Sequence, residues 1–216
     1  MLFPSHDPGT SGFPVDMAFE RGTTFTDPTR WWSRLTGVKY LESSSTAAES
    51  SGSGTPWDYE NGWYSSAGAS NDYSWMFRRA PGFFDVVCYT GTGVVRTVDH
   101  NLGVAPELMI VKCRNVAGSS WLVYSATTGA GDQLHLNANY AAYALSQTWN
   151  NTAPTASVFT VGTNGDVNLN SYLFVSYLFA TVPGVSKVGS YTGTATTNQI
   201  DCGFSSGARF VLIKRI

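Results

Sequence analysis

One phrase occurs twice in this chain, and it constrains the fold more than any other feature. "PGFFDVVCYTGTG" opens at Pro81 and "PGVSKVGSYTGTA" opens at Pro183, 102 positions later. The spacing holds beyond the phrase. Tyr89-Thr90-Gly91-Thr92 falls on Tyr191-Thr192-Gly193-Thr194, Asp99 on Asp201, Leu102 on Phe204, and "ELMIVK" at 107–112 on "RFVLIK" at 209–214. Upstream, "YSWMFRRAPG" at 73–82 falls on "VSYLFATVPG" at 175–184. A gap held over so long a stretch marks an internal duplication, and repeats have to be recognised before any fold is assigned.

A third, partial copy stands at the start. "FPVDMAFER" at 13–21 resembles "APELMIVKCR" at 105–114, "WWSRL" resembles "SWLVY" around Trp121, "YLESSSTAAE" resembles "LHLNANYAAY" at 134–143, and Trp57 resembles Trp149. The offset drifts, from 92 at Met17 and Met109 to 89 at Trp32 and Trp121, and is 102 again by Tyr73. Insertions and deletions in loops between fixed strands produce such drift.

Period-2 alternation and turn residues predict strands at 84–89 and 95–99, over "ELMIVKCR", "SWLVYS" and "QLHLNAN", and at 157–162 and 172–180. Val86, Leu108, Ile110, Leu136, Phe159, Phe174 and Leu178 are the expected core. Helix signals are nearly absent; "ANYAAYALSQ" alone has room for a turn or two. Seven strands in about 100 residues, set off by Gly/Asn/Thr clusters, are the signature of a sandwich. The predicted class is therefore all-β, as tandem antiparallel β-sandwich repeats of jelly-roll or concanavalin-like type, each about 100 residues long. Residues 1–83 hold the later strands of a preceding unit, 84–183 a complete unit, and 184–216 the first strands of a following one. Phe84 and Val185 are each expected to open a first strand after a Pro-Gly turn. A sandwich cut in this way leaves unpaired edges. Two readings of the ends stay open: a window on a longer chain, or end pieces that complete each other within or between molecules.

Composition agrees. Charged residues make up 13% of the 216 residues, against roughly 25% in an ordinary soluble domain. Aromatics reach 14%, with 22 glycines. A net charge of −2 without a basic run gives no footing for nucleic acid. No apolar run reaches the roughly 20 residues of a membrane span, and "MLFPSHDPGTSG" lacks the layout of a secretory signal.

Taken together, "PGFFDVVCYTGTG", "DHNLGVAPELMIVK", "WLVY", "LHLN", "NTAPTASVFTVG", "SYLFVSYLFATVPGVSKVGSYTGTA" and "IDCGFSSGARFVLIKR" resemble a repeat domain in large structural proteins of tailed bacteriophages, notably cyanophages and other marine phages. The resemblance is closer over 80–216 than over 13–80. It implies a tail-fibre or virion-associated module, often in tandem and beside concanavalin-like lectin domains. It also implies assembly in the host cytoplasm, location on the particle, and other virion proteins as partners. No catalytic residues come with it.

The chemistry-bearing residues are few. Cys88, Cys113 and Cys202 fall on Ser190, Arg215 and His100 at the repeat spacing, so no disulfide framework recurs and small buried hydrophobes are expected. His6, His100 and His135 have no second ligand at metal spacing. His135 should face away from Leu134 and Leu136, and His100 should cap a turn. No nucleophile elbow, phosphate loop or zinc-protease motif occurs. No cofactor and no metal are expected.

The candidate ligand-binding cluster is "WDYENGWY": Trp57, Asp58, Tyr59, Glu60, Trp63 and Tyr64. Its aromatic faces suit sugar rings or an interface, and the plainer reading makes Trp57 a core residue like Trp149. Acidic pairs are few: Asp58 and Glu60, as alternate residues on a strand, would share a face, but they do not make a convincing glycosidase pair. Three functions follow: a non-enzymatic fibre shaft or spacer that also attaches to the host surface, a lectin-like binder of host polysaccharide or capsid decoration, and a polysaccharide-degrading tailspike. Tandem repetition favours the first. The low charge and many aromatics predict a homo-oligomer, a trimer by resemblance to phage fibres.

Overall fold

The computed structural model describes residues 4–5, 11–22, 27–53, 57–64 and 73–216. The chain is an all-β sandwich in which every paired strand runs antiparallel to its neighbour. The first sheet comprises β1 (Pro4–Ser5), β2 (Met17–Arg21), β3 (Arg30–Ser33), β4 (Lys39–Glu42), β5 (Ser50–Ser51) and β6 (Tyr73–Phe77). The second comprises β7 (Phe84–Thr90), β9 (Leu108–Cys113), β10 (Leu122–Ser125), β11 (Asp132–His135), β12 (Tyr143–Ala144) and β14 (Leu173–Phe179). A two-stranded ribbon of β8 (Arg96–Asp99) and β13 (Val158–Val161) and two single-turn helices, α1 (Ser146–Trp149) and α2 (Gly165–Asn168), complete the fold. All seven strands expected between 84 and 180 form. The stretch "ANYAAYALSQ" holds β12 rather than a helical turn, and α1 begins only at its last two residues; α2 had no sequence signal.

The two large sheets share one topology. The first runs β1-β6-β2-β3-β4-β5 and the second β7-β14-β9-β10-β11-β12. Register makes the equivalence residue-specific: Met17 opposes Phe77 as Met109 opposes Leu178, and Trp32 opposes Tyr40 as Val123 opposes Leu134. Tyr40 is thus the counterpart of Leu134, as the sequence pairing has it. The tryptophans are not counterparts. Ser33 opposes Met17 where Tyr124 opposes Met109, so Trp31 stands where Leu122 stands, and Trp121 precedes β10. Register follows the buried face, whereas the sequence pairing followed aromatic character.

Equivalent faces point the same way. Met17, Phe19, Trp31 and Phe77 of the first sheet pack against Ile110, Val123, Leu134, Val175 and Tyr177 of the second. Their counterparts Met109, Val111, Leu122 and Leu178 lie on the second sheet's other face, beneath Val98, Phe159, Val161, Trp149 and Val167 of the ribbon and helices. The sheets are stacked front to back, so the stack has no two-fold axis.

Central β9 is therefore covered on both sides, and its residues 109–113 are all buried. Alternation fails there, as it does in any strand with two buried faces. This corrects the expected core: Met109 is inside, Leu108 at the strand end is only half-buried, and so is Leu136 beyond the end of β11. Val86, Ile110, Phe159, Phe174 and Leu178 are buried as expected.

The repeated phrase makes the same turn twice. Ala80 bridges Phe84 and Val182 bridges Ser186. Gly82 and Gly184 adopt φ of 76° and 73°, the left-handed region that glycine enters without penalty. After the second turn the copies diverge, and no strand forms in residues 187–216. β7 gains its strand by pairing all seven residues with β14; nothing plays β14 for residues 186–192. Gly91 and Gly193 record the difference. A Cβ on Gly91 would run into the backbone carbonyl of Leu169, whereas Gly193 faces open space.

Candidate functional site

The stretch 57–64 is held by the two tryptophans that the sequence offered as ligand-binding faces. Trp57 and Trp63 are buried with Val15, Ala18, Trp32 and Met76 on the outer face of the first sheet. Trp63 lies 5.8 Å from Trp32 and 6.1 Å from Trp57. The Trp57 Nε1 donates to the Gly37 carbonyl at 2.6 Å, and the Arg34 guanidinium sits 5.6 Å over its ring while donating to its carbonyl at 2.8 Å. Neither indole presents a face to a ligand. The plainer reading of Trp57 was the right one: the outer face of β2, β3 and β6 needs a cover, and these rings supply it.

The remaining four residues are at the surface: Asp58, Tyr59, Glu60 and Tyr64 are exposed. The Tyr59 and Tyr64 rings are 6.5 Å apart with 47° between planes, and the Asn61 carbonyl accepts from the Ser11 and Gly12 amides at 2.7 and 3.1 Å. The result is an anchored loop with two exposed phenols and two solvated carboxylates. Such a surface can stack on a sugar ring and accept its hydroxyls.

Other polar groups are spent on the fold. Gln133 and His135 share the face opposite Leu134 and Leu136. The His135 Nε2 lies 3.0 Å from the Tyr143 hydroxyl and 3.1 Å from the Gln133 amide nitrogen, in a network that continues through Thr148 to Asn164. His100 caps its turn: its Nδ1 accepts from the Leu102 amide at 3.2 Å, and its Nε2 lies 3.2 Å from the Thr155 carbonyl. His6 lies outside the described residues. Cys113 is buried, and burial pushes the half-buried Cys88 thiol up despite the nearby Arg114, which disfavours its thiolate. A cavity of about 300 Å³ beside the Pro81-Gly82 turn holds Asp16 and Asp85. Asp85 already accepts from the Asn101 amide at 2.7 Å and Asp16 from the Arg79 amide at 2.8 Å. Among the described residues no cluster of three His, Cys, Asp or Glu could hold a metal, and no helix is long and apolar enough to cross a membrane.

Burial lowers the pKa of both His100 and His135. The unfolded chain therefore takes up protons near pH 6.5, before the folded one does, and stability falls as pH drops through that value toward the folded pKa values. The urea midpoint is expected to be lower at pH 5.5 than at pH 7.5, and a His100→Asn, His135→Gln variant should lose much of that difference. An equal pH dependence in the variant would exclude the histidines as its source.

The chain belongs to the family described as Domain of unknown function (DUF7483), whose model matches residues 37–216. The match takes in β4, β5 and β6 of the first sheet, the whole of the second sheet and the segment after β14. No curated protein and no solved structure matches the chain.

Proposed function

We propose that the protein is a non-enzymatic structural module of a tailed-phage particle, a tail-fibre or tail-associated element that serves as shaft or spacer and presents a host-facing loop. The observation that carries this reading is the front-to-back stack of two sheets of identical strand order. A stack without a two-fold axis has unlike ends, and such units add to one another in series. Residues 184–216 extend the series. Tyr89, Met109 and Val111 are buried, whereas their counterparts Tyr191, Val211 and Ile213 are 49%, 64% and 65% exposed. Apolar side chains repeated at core positions and left in water mark a contact with other protein. The partners implied are further copies of the chain in a homo-oligomer, with a trimer as the size expected from the phage resemblance, together with other virion proteins. An antiserum against the chain should label the tails of purified particles in negative stain. Protein found only in the lysate, with unlabelled particles, would overturn the assignment.

The Tyr59–Tyr64 pair favours a second reading, a lectin-like contact with host surface polysaccharide. Each exposed ring stacked on a sugar contributes on the order of 1 kcal/mol, so Tyr59→Ala with Tyr64→Ala should weaken retention on a host-glycan array by about tenfold or more. Thermal stability should stay unchanged, because both rings are in solvent. Undiminished retention would remove the loop from the contact, and release of reducing sugar from the same polysaccharide would favour the tailspike alternative.

A further inference from the structure

We propose that residues 186–192 of one copy add as a strand to the outer edge of β6 in a second copy, in the place now held by β1. The inference rests on the structural-module reading and names the joint that reading requires.

The second sheet shows what a complete edge looks like. β14 lies between β9 and β7, and β7 covers it over seven residue pairs, from Phe84–Phe179 to Thr90–Leu173. In the first sheet β6 holds the position of β14, and among the described residues β1 pairs with it at Pro4–Trp75 and Ser5–Ser74. Pro4 has no N–H to give a ladder, and proline is tolerated in sheets chiefly at such edges. At Pro4, then, β1 cannot give this edge the N–H that β7 gives to its counterpart.

The same chain carries a strand cut to that edge and leaves it unpaired. Residues 186–192 follow the second Pro-Gly turn as 84–90 follow the first, with the turn geometry reproduced. Their register on β6 follows from the pairs already formed. Phe77 stands where Leu178 stands, one position from the Phe179 that the 102-residue spacing assigns it, because each opposes the matching methionine of β2 or β9. Trp75 therefore stands for Ser176, which opposes Val87, and Ser74 for Val175, which opposes Cys88. Carried 102 positions on, Gly189 faces Trp75 and Ser190 faces Ser74. Val188 then lies beside Met76 and Tyr191 beside Tyr73. A glycine opposite a tryptophan lets the indole lie across the neighbouring backbone, and Tyr–Tyr and Val–Met are favourable cross-strand pairs. Exchange gives residues 186–192 a ladder along β6, and the partner's β6 plays the part that β14 plays for β7. The contact joins unlike surfaces, so it propagates from copy to copy or closes into a ring.

The test uses two full-length variants that each gain one cysteine, Ser74→Cys and Ser190→Cys, with the half-buried Cys88 and Cys202 changed to serine in both and the buried Cys113 kept. Mixed and oxidised, they should give a disulfide-linked heterodimer that neither gives alone. The band should be lost when Val188→Pro and Gly189→Pro are added to the Ser190→Cys chain. Successive N–H groups of a strand point to opposite sides, so this pair of prolines removes whichever one faces β6. Melting of that chain should fall only slightly, since Gly189 is exposed and the half-buried Val188 gives up one N–H bond, to the Thr181 hydroxyl at 3.1 Å. No heterodimer above the single-variant background overturns the proposal. So does a disulfide that forms within a chain bearing both cysteines and never between chains. Light scattering of the unaltered protein separates the two levels of failure: an oligomer without the cross-link refutes this joint and leaves the module reading standing, whereas a monomer refutes both.

Discussion

Replacing Trp121 with alanine is expected to destabilise the protein by about 3–5 kcal/mol, the range for truncating a large aromatic in a packed core. Trp121 is fully buried and stands between the two large sheets, its ring 5.0 Å from that of Trp31. Its indole N–H is shared by the carbonyls of Glu42 and Ser45 at 3.0 and 3.1 Å, so the side chain of the second sheet closes the loop that follows β4 of the first. Truncation removes the ring and also leaves two loop carbonyls without their donor, a further cost of about 1 kcal/mol or more. Trp121→Phe keeps most of the volume and loses the donor, so it should fall between wild type and alanine. Because both sheets share this core, urea should unfold them in one transition. A loss below about 1 kcal/mol, or two separate transitions, would show that the sheets do not depend on each other.

The strands were legible in the sequence because their signals are local. Alternation and Gly/Asn/Thr clusters located β7 to β11, β13 and β14, and the spacing of 102 located both Pro-Gly turns. The faces were harder to read. β9 is apolar throughout because the ribbon lies on one side and the first sheet on the other, and no window on β9 alone distinguishes that from a strand with one buried face. Trp121 was paired with Trp32 on residue type, although one ring fills the space between the sheets and the other lies on the outer face of the first. Trp57 and Trp63 looked like ligand faces because an aromatic-rich polar loop reads the same whether its indoles turn inward or outward. What turns them inward is the apolar outer face of β2, β3 and β6, which they cover together with Phe13 and Val15. The strands expected after Val185 failed for a non-local reason: a first strand in this topology pairs with the last strand of its unit, some ninety residues away at β14.

Asn168 had no sequence signal at all, yet its replacement should rank beside that of Trp121. The residue ends α2 and is fully buried. Its side-chain amide donates to the carbonyls of Val94 and Gly162, each at 2.7 Å, and its carbonyl oxygen accepts from the Thr92 amide at 2.9 Å. One side chain thereby ties the end of the repeated phrase to the loop after β13, next to the point where Gly91 passes against Leu169. Asn168→Ala leaves the buried Gly162 carbonyl and the part-buried Thr92 amide and Val94 carbonyl unpartnered, and such groups cost about 1–3 kcal/mol each when water does not reach them. A total loss of about 3 kcal/mol is expected in urea unfolding, with faster hydrogen exchange at the Thr92 amide. Asn168→Asp is the sharper comparison. It is nearly isosteric and keeps the acceptor for Thr92, but it turns a carboxylate toward two carbonyl oxygens in a buried site, where an unpaired charge is costly. The aspartate variant should therefore be at least as unstable as the alanine variant at pH 7, and should recover part of the loss as the pH is lowered and the carboxyl takes up a proton that it can donate. If aspartate is tolerated better than alanine at pH 7, space-filling rather than the donated hydrogen bonds is what Asn168 contributes.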